Sequence, residues 1–459
     1  MTVAKGRPGQ GGVRTVGSRG RGASEASNVP FVLFCLLITS TLLHLGARLP
    51  ILGMMRIDLL LGAAALAACW LVRSGPGPRP PASEEELRVN RRLYILFAYI
   101  FLTVPFVQWP GSVIKNGLEP FVKAVLFHFL ASWSINTSRQ LGIFIWLYTG
   151  LQCWRVLEPL YLHLAYGYWG SATHVGGGEF MARLSGAPMD TVNPNGLAFI
   201  IITAIPLLYF IGQRATVMVR ILCWCLIGAL IYALILTGSR SGFLVFALLV
   251  GLWIWRSRYK LAAIVAIIIS AAAIVPSMTD LQKERYLSIF RSDVASAESA
   301  QGRIDAVFQD FDVALRRPLF GHGLGTSAEA NAHFRGYGQV SHNLYTEVAQ
   351  ELGFVGLAIF LSILVAVGRA AVSAVRAAGA AQSRATLDDS VRVAADSILT
   401  LLIVNVVFSF ASYGLSDPNW YMLSGLAVAT ARLATRSAGG SVPSPERSAT
   451  KRAYPLGRY

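Results

Sequence analysis

Residues able to carry acid–base or anion chemistry gather in the second half of the chain. Ser341-His342-Asn343-Leu344-Tyr345 stands just before Glu347, Glu351 and Gly353-Phe354-Val355-Gly356, where a long polar stretch gives way to an apolar one. An imidazole at such a boundary can stay neutral near pH 7 and accept a proton; the alternative is an interfacial polar residue capping a helix. Arg240 lies in Gly238-Ser239-Arg240-Ser241-Gly242, a very short turn between two apolar runs. An arginine so close to hydrocarbon is costly unless it snorkels, pairs with an acid or holds an anion. Its small neighbours leave backbone N–H groups and hydroxyls open, and the N-terminus of the next helix adds positive potential, a setting suited to a phosphate oxygen. Arg303 follows Gly302 at the start of a short helical pattern. A guanidinium offers paired donors to a diphosphate and keeps its charge across the working range. Arg183 is a third such residue, with a solvated loop charge as its other reading.

Pro318, Gly321, Gly323 and Gly325 form a tight irregular stretch around His322, a second acid–base candidate. The glycines follow a helix instead of joining a strand to one, which excludes a dinucleotide loop; close packing near a ligand and simple loop punctuation both explain them. Asp310-Phe311-Asp312 looks like the carboxylate pair with which many nucleotide-sugar glycosyltransferases hold a divalent metal. On a helix centred near Phe311 the two carboxylates project about 100° to either side and cannot chelate one ion. They read as solvated flanks, so no metal and no cofactor is expected.

The elements that must position these groups are set by composition. Of 459 residues, 54% are hydrophobic and 14% charged, with mean hydropathy +0.53 and formal net charge +16. A soluble domain needs about a quarter of its residues charged, so the chain reads as an all-α integral membrane protein. Twelve apolar runs are candidate spans, from Phe31–Gly46 to Trp420–Leu433. With the N-terminus inside, well over half of the 40 Lys and Arg fall in inner segments, and the outer ones concentrate in one long loop. Both termini are therefore expected in the cytoplasm, and the basic excess gives no reason to invoke nucleic acid.

Residues 1–28 read as a disordered basic tail, 29–436 as the polytopic domain and 437–459 as a second basic tail. Within the domain, residues 276–341 form the long outer loop between the ninth and tenth spans. Ile304, Val307, Phe308, Phe311 and Leu315 make one helical apolar stripe in it, able to lie on the membrane or on the bundle. A shorter outer segment, Tyr166–Asn193, is expected to face that loop, with Asn193 and Asn195 capping the sixth span or lining a cavity. The five cysteines fall in apolar runs; Cys223 and Cys225 point about 200° apart on a helix and read as packing residues.

Together, Gly302-Arg303, the Pro318–Gly325 stretch, His342-Asn343 with its following Glu and Gly-Phe-Val-Gly, and the Ser-Arg-Ser-Gly turn resemble the O-antigen ligase and polymerase superfamily, most closely its ligase branch. The likeness covers about Thr237 to Gly356, with topology and length agreeing elsewhere. It implies a metal-independent, C-type glycosyltransferase of the bacterial inner membrane, acting on the periplasmic face. The donor would be an undecaprenyl-diphosphate-linked O-antigen and the acceptor the lipid A–core, with membrane lipids around both. The resemblance makes His342 the general base and Arg303 and Arg240 the diphosphate binders; apart from it, Arg183 and Asn343 read as further substrate contacts and His322 and Tyr345 as secondary candidates. Phe308 departs from the tryptophan of many members but keeps an aromatic on the stripe.

Rival readings are an O-antigen polymerase, a protein O-oligosaccharyltransferase and, from another class, a lipid-linked glycan flippase. Polymerases often carry Arg followed eleven positions later by Gly; here Arg183, Arg285 and Arg303 are followed by Pro194, Ser296 and Ala314. Protein-directed enzymes tend to add a soluble C-terminal region. A flippase would place charge deep in several helices, whereas only Lys123, Arg155 and Glu158 are clearly of that kind.

Overall fold

The computed structural model describes residues 28–75, 82–176, 179–289, 298–382, 388–412 and 414–438. Nearly all of the two expected tails lies outside these residues, as do Gly177, Gly178 and residues 290–297 of the long loop.

Each of the twelve apolar runs falls on a helix. These are α1 (Val29–Leu43), α2 (Ile57–Ser74), α3 (Glu84–Thr103), α4 (Leu118–Ser134), α5 (Ser138–Tyr166), α6 (Pro194–Arg214), α7 (Val217–Thr237), α8 (Arg240–Arg256) and α9 (Lys260–Ile274). The long loop then contributes α10 (Asp280–Leu287), α11 (Glu298–Leu315) and α12 (Ser327–Arg335) before α13 (Leu344–Gln382), α14 (Asp389–Phe408) and α15 (Pro418–Ala438). Among the described residues, α2, α3 with the turn after it, α6, α7, α13 and α14 are the six helices long and apolar enough to cross a membrane. The other six runs lie on shorter or more polar helices.

Burial sorts the helices into core and periphery. Every residue of α15 from Trp420 to Ala434 is buried, and α15 packs against α4, α13 and α14. On α2, by contrast, only Ala65 and Cys69 are buried while Leu59, Leu60, Trp70 and Leu71 stay exposed. An apolar face left outside the bundle is what a lipid-facing helix shows, because hydrocarbon replaces water as its solvent. Cys223 is buried and Cys225 exposed, as their opposed directions on α7 require.

Several polar groups inside the bundle are held by partners from other helices. His128 lies fully buried between Asn90 (2.8 Å) and Ser424 (2.7 Å). Arg432 donates to Glu86 at 2.9 Å and to the carbonyls of Ser132 and Ile135, tying α15 to α3 and α4. The charges that the sequence places deep in helices are also paired: Arg155 with Asp190, Glu158 with Arg48, and Lys123 with Glu119.

Among the described residues the fold departs from all-α in one place. Residues Gly170–Gly176 (β1) and Glu179–Leu184 (β2) form an antiparallel hairpin, with Arg183 opposite Ser171. Trp169 O accepts from Ser185 N just beyond the strands, and Asn193 caps α6 by accepting from Gly196 N at 2.9 Å.

The long helix α13 is broken at Gly353, which adopts φ 69°, ψ −179°. The glycine stretch packs into that break: Phe354 N donates to Pro318 O, Gly323 N to Glu351 O, and His322 N to Gln350 O. Of the two readings of these glycines, the structure shows close packing of backbone on backbone. Tyr99 Oη lies 2.6 Å from Leu319 O and 2.7 Å from Leu352 O, bridging the two segments.

The stripe on α11 is turned away from the bundle. Ile304, Phe308 and Leu315 are exposed and Phe311 touches Phe354, while the packed face carries Asp310, Val313 and Ala314. A buried aspartate therefore sits where a solvated flank was expected.

Candidate functional site

The hairpin and the long loop meet at the turn between α7 and α8. Gly238 ends α7 in the left-handed region (φ 57°), and Ser239 caps α8 by accepting from Gly242 N. A Cβ on Gly238 would lie 2.6 Å from Met181 Cε, 3.4 Å from Arg285 Cδ and 3.5 Å from Arg183 Nε. Glycine is thus required both by backbone conformation and by the two arginines flanking it. Gly238→Val is expected to cut activity at least about tenfold, because misplacing site groups by an ångström carries penalties up to about a hundredfold; initial rates alongside a melting curve check it.

Four arginines converge here. Arg183 is 4% exposed and donates to Thr237 O (2.6 Å), Thr173 Oγ1 (3.2 Å) and Asn195 Oδ1 (3.0 Å). Arg240 donates to Ser288 Oγ at 2.9 Å. Arg285 on α10 is also 4% exposed and donates through Nε to Gly238 O at 2.7 Å. Its Nη1 is buried and has no hydrogen-bond partner among the described residues. Arg303, on α11, is largely buried. Among the described residues no carboxylate forms an ion pair with Arg183, Arg285 or Arg303.

The electrostatic result is a concentration of positive charge in which Arg183, Arg285 and Arg303 have no carboxylate partner among the described residues. Burial, then the charges of Arg285, Arg303 and Arg240, push the Arg183 guanidinium down to about 9. Burial and then Arg303 lower Arg285, and burial lowers Arg303. Cations held out of water and close together are costly unless an anion joins them.

His342 lies beside this cluster. It is half-buried, and its Nε2 is 2.7 Å from the Gln339 side-chain nitrogen. Burial and the charge of Arg303 hold its pKa below the ordinary imidazole value, with Asp310 acting weakly the other way. A neutral imidazole at pH 7 is the form that accepts a proton.

The remaining sequence candidates are held by contacts within the fold. Asn343 caps α13 by accepting from Tyr345 N (2.9 Å) and Thr346 N (3.2 Å), and donates to Phe410 O. Tyr345 donates its hydroxyl to Val406 O at 2.8 Å and packs on Phe410. His322 is buried, with Nδ1 2.7 Å from Gln108 Oε1 and Nε2 2.9 Å from Val313 O, so both ring nitrogens are occupied. Asn195 reaches Arg183 instead of capping α6. Asp312 is exposed while Asp310 is buried, so the pair does not converge. No group of three His, Cys, Asp or Glu among the described residues is placed to hold a metal.

Arg285 and Gln339 were not singled out from sequence. Arg285 is one of several basic residues in the long loop, and only its burial distinguishes it; Gln339 three positions before His342 is a weak local signal.

The helices and these residues define a helical membrane protein with a cluster of buried arginines beside a histidine. Residues 221–361 match the model of a family described as O-antigen ligase, a segment that includes Arg240, Arg285, Arg303 and His342. Over that segment, less than a third of the chain, the protein is similar to a family of glycosyltransferase-like enzymes. No curated protein matches the chain.

Proposed function

We propose that the protein is an inverting, metal-independent O-antigen ligase, moving a glycan from undecaprenyl diphosphate to a sugar hydroxyl of the lipid A–core. The observation that carries this reading is the buried Arg285 Nη1, a donor without a partner among the described residues and one of four clustered arginines. A diphosphate supplies the missing acceptors and neutralises the cluster.

In the proposed reaction the acceptor hydroxyl oxygen bonds to the anomeric carbon as the bond from that carbon to the diphosphate oxygen breaks. The bonding pair leaves with the diphosphate, where Arg240, Arg285 and Arg303 stabilise the growing charge, and Arg183 supports them from the hairpin. His342 takes the hydroxyl proton. Attack opposite the leaving group inverts the anomeric centre, and no covalent intermediate is needed. The chemistry is assigned to the periplasmic face of the bacterial inner membrane, with both termini cytoplasmic. A lipid-linked diphosphate brings the bond energy to a compartment without nucleotide sugars.

Metal independence rests on the fate of Asp310, whose Oδ1 already accepts from Arg335, Asn331 and Gln350. Excess EDTA is expected to leave the initial rate within about twofold of the untreated enzyme; loss restored by a divalent cation would overturn this assignment.

The deciding experiment is reconstitution with an undecaprenyl-diphosphate glycan and rough lipopolysaccharide. A ligase shifts the acceptor's mass on a gel. Chain extension on the carrier would make it a polymerase instead, and movement of the carrier across the bilayer without transfer would make it a flippase.

A further inference from the structure

His342 sits in an irregular loop, so neither helix nor strand fixes its ring. A chain of side-chain contacts leads to it from the buried face of α11. Asp310 is 1% exposed, and its Oδ1 accepts from Arg335 Nη1 (2.8 Å), Asn331 Nδ2 (3.1 Å) and Gln350 Nε2 (3.2 Å). One carboxylate oxygen thereby joins α11, α12 and the first turns of α13. The same Asn331 Nδ2 donates to Gln339 O at 2.7 Å, fixing the backbone of the loop. From there the Gln339 amide nitrogen reaches His342 Nε2 at 2.7 Å. Asn331 and Gln350 are as buried as Asp310, at 1% and 0% exposed.

We infer that Gln339 is a positioning residue for His342, and that Asp310, acting through Asn331, holds Gln339 in place. The inference rests on the reading of His342 as the base. An amide N–H directed at Nε2 requires the lone pair on that nitrogen and puts the neutral ring's proton on Nδ1. Gln339 therefore keeps Nε2 in accepting form and aims it. The acceptor hydroxyl, itself a donor, then replaces the amide on the same lone pair.

Among the described residues the charges that act on the imidazole are those of Arg303 and Asp310 on α11, the latter paired with Arg335 on α12. The acids of α13 turn elsewhere: Glu347 accepts from Gly414 N and Leu415 N, and Glu351 from Gly325 N and Ser327 N. Two substitutions then have opposite signs. Donation from Gln339 stabilises neutral His342, so Gln339→Leu removes that support and moves the acidic limb of activity to higher pH. The Asp310 charge stabilises imidazolium, so Asp310→Asn moves the limb to lower pH. A part that only holds the fold together would lower activity without this opposed displacement.

The test is the pH profile of kcat and KM in proteoliposomes containing the lipid-linked donor and rough lipopolysaccharide, for wild type, His342→Ala, Gln339→Leu, Gln339→Glu and Asp310→Asn. Expected are a kcat reduced about tenfold or more in Gln339→Leu with the acceptor KM little changed, a limb displaced upward in Gln339→Leu and further in Gln339→Glu, and one displaced downward in Asp310→Asn. Should Asp310→Asn not fold, the two Gln339 variants decide the matter alone. An inactive His342→Ala with wild-type profiles in both Gln339 variants overturns this inference while leaving the base in place. An active His342→Ala overturns the base reading, and the positioning role with it.

Discussion

His342→Ala is expected to lower transfer about 10²- to 10⁴-fold, the range over which a positioned general base contributes, with melting behaviour close to wild type. The variant should stay folded because His342 is half-buried in a loop, and the contacts that join α11, α12 and α13 run through Asp310, Asn331 and Gln350 instead. The pH dependence follows from the sign of its shift. Burial and Arg303 both disfavour the imidazolium, so the ring is neutral at pH 7 and activity falls only as pH drops through a pKa below about 6.5. Bound diphosphate cancels the Arg303 charge and adds negative charge nearby, which favours imidazolium. The limb in kcat, reporting the loaded enzyme, should therefore lie at higher pH than the limb in kcat/KM, reporting the free enzyme. Rates with donor and acceptor varied separately between about pH 5 and 8 check this. Transfer that persists in His342→Ala would remove the base.

The helices were legible in the sequence; the fourth arginine and the hairpin were not. Long apolar runs mark helices whatever they pack against, so each of the twelve runs overlaps one, although only six of these helices among the described residues are long and apolar enough to cross a membrane. The β1–β2 hairpin carries no comparable signal, since Gly170-Ser171-Ala172-Thr173-His174 has little apolar alternation and its pairing depends on a partner strand. On α11 the periodicity gave the right element and left open whether its stripe faces the membrane or the bundle. The face with the larger apolar residues remains exposed, and the buried face is held by the hydrogen bonds of Asp310. Buried polar networks need partners distant in sequence, here Asn331, Arg335 and Gln350, and no local pattern shows them. Arg240 and Arg303 stood out by their small neighbours and helix position, whereas Arg285 is recognisable only once Gly238 O is seen to hold its Nε and leave Nη1 unused.

Arg285→Ala is expected to abolish the stabilisation that inorganic pyrophosphate gives the wild-type protein and to reduce transfer about 10²- to 10³-fold, the usual loss when one donor to a developing oxyanion is removed. In the unliganded protein the substitution takes away one charge from a repelling group. Arg285 is the neighbour whose charge most strongly depresses Arg183, so its removal relieves repulsion even as the bond to Gly238 O is lost. A neutral hydrogen-bond loss costs about 1 kcal/mol, and one involving a charged group about 1.5–3; relief of buried like charge offsets part of it. The unliganded melting temperature should consequently fall little. Ligand makes the difference, because an anion that binds the folded state raises stability by RT ln(1 + [L]/Kd), and the variant lacks the donor aimed at it. Arg285→Lys should recover part of the pyrophosphate effect and less of the rate, since a point charge replaces neutralisation without the paired guanidinium geometry. Thermal melts with and without pyrophosphate, run beside the transfer assay, separate the outcomes. A large loss of unliganded stability with an intact pyrophosphate shift would make Arg285 a structural residue and remove the observation on which the diphosphate site rests.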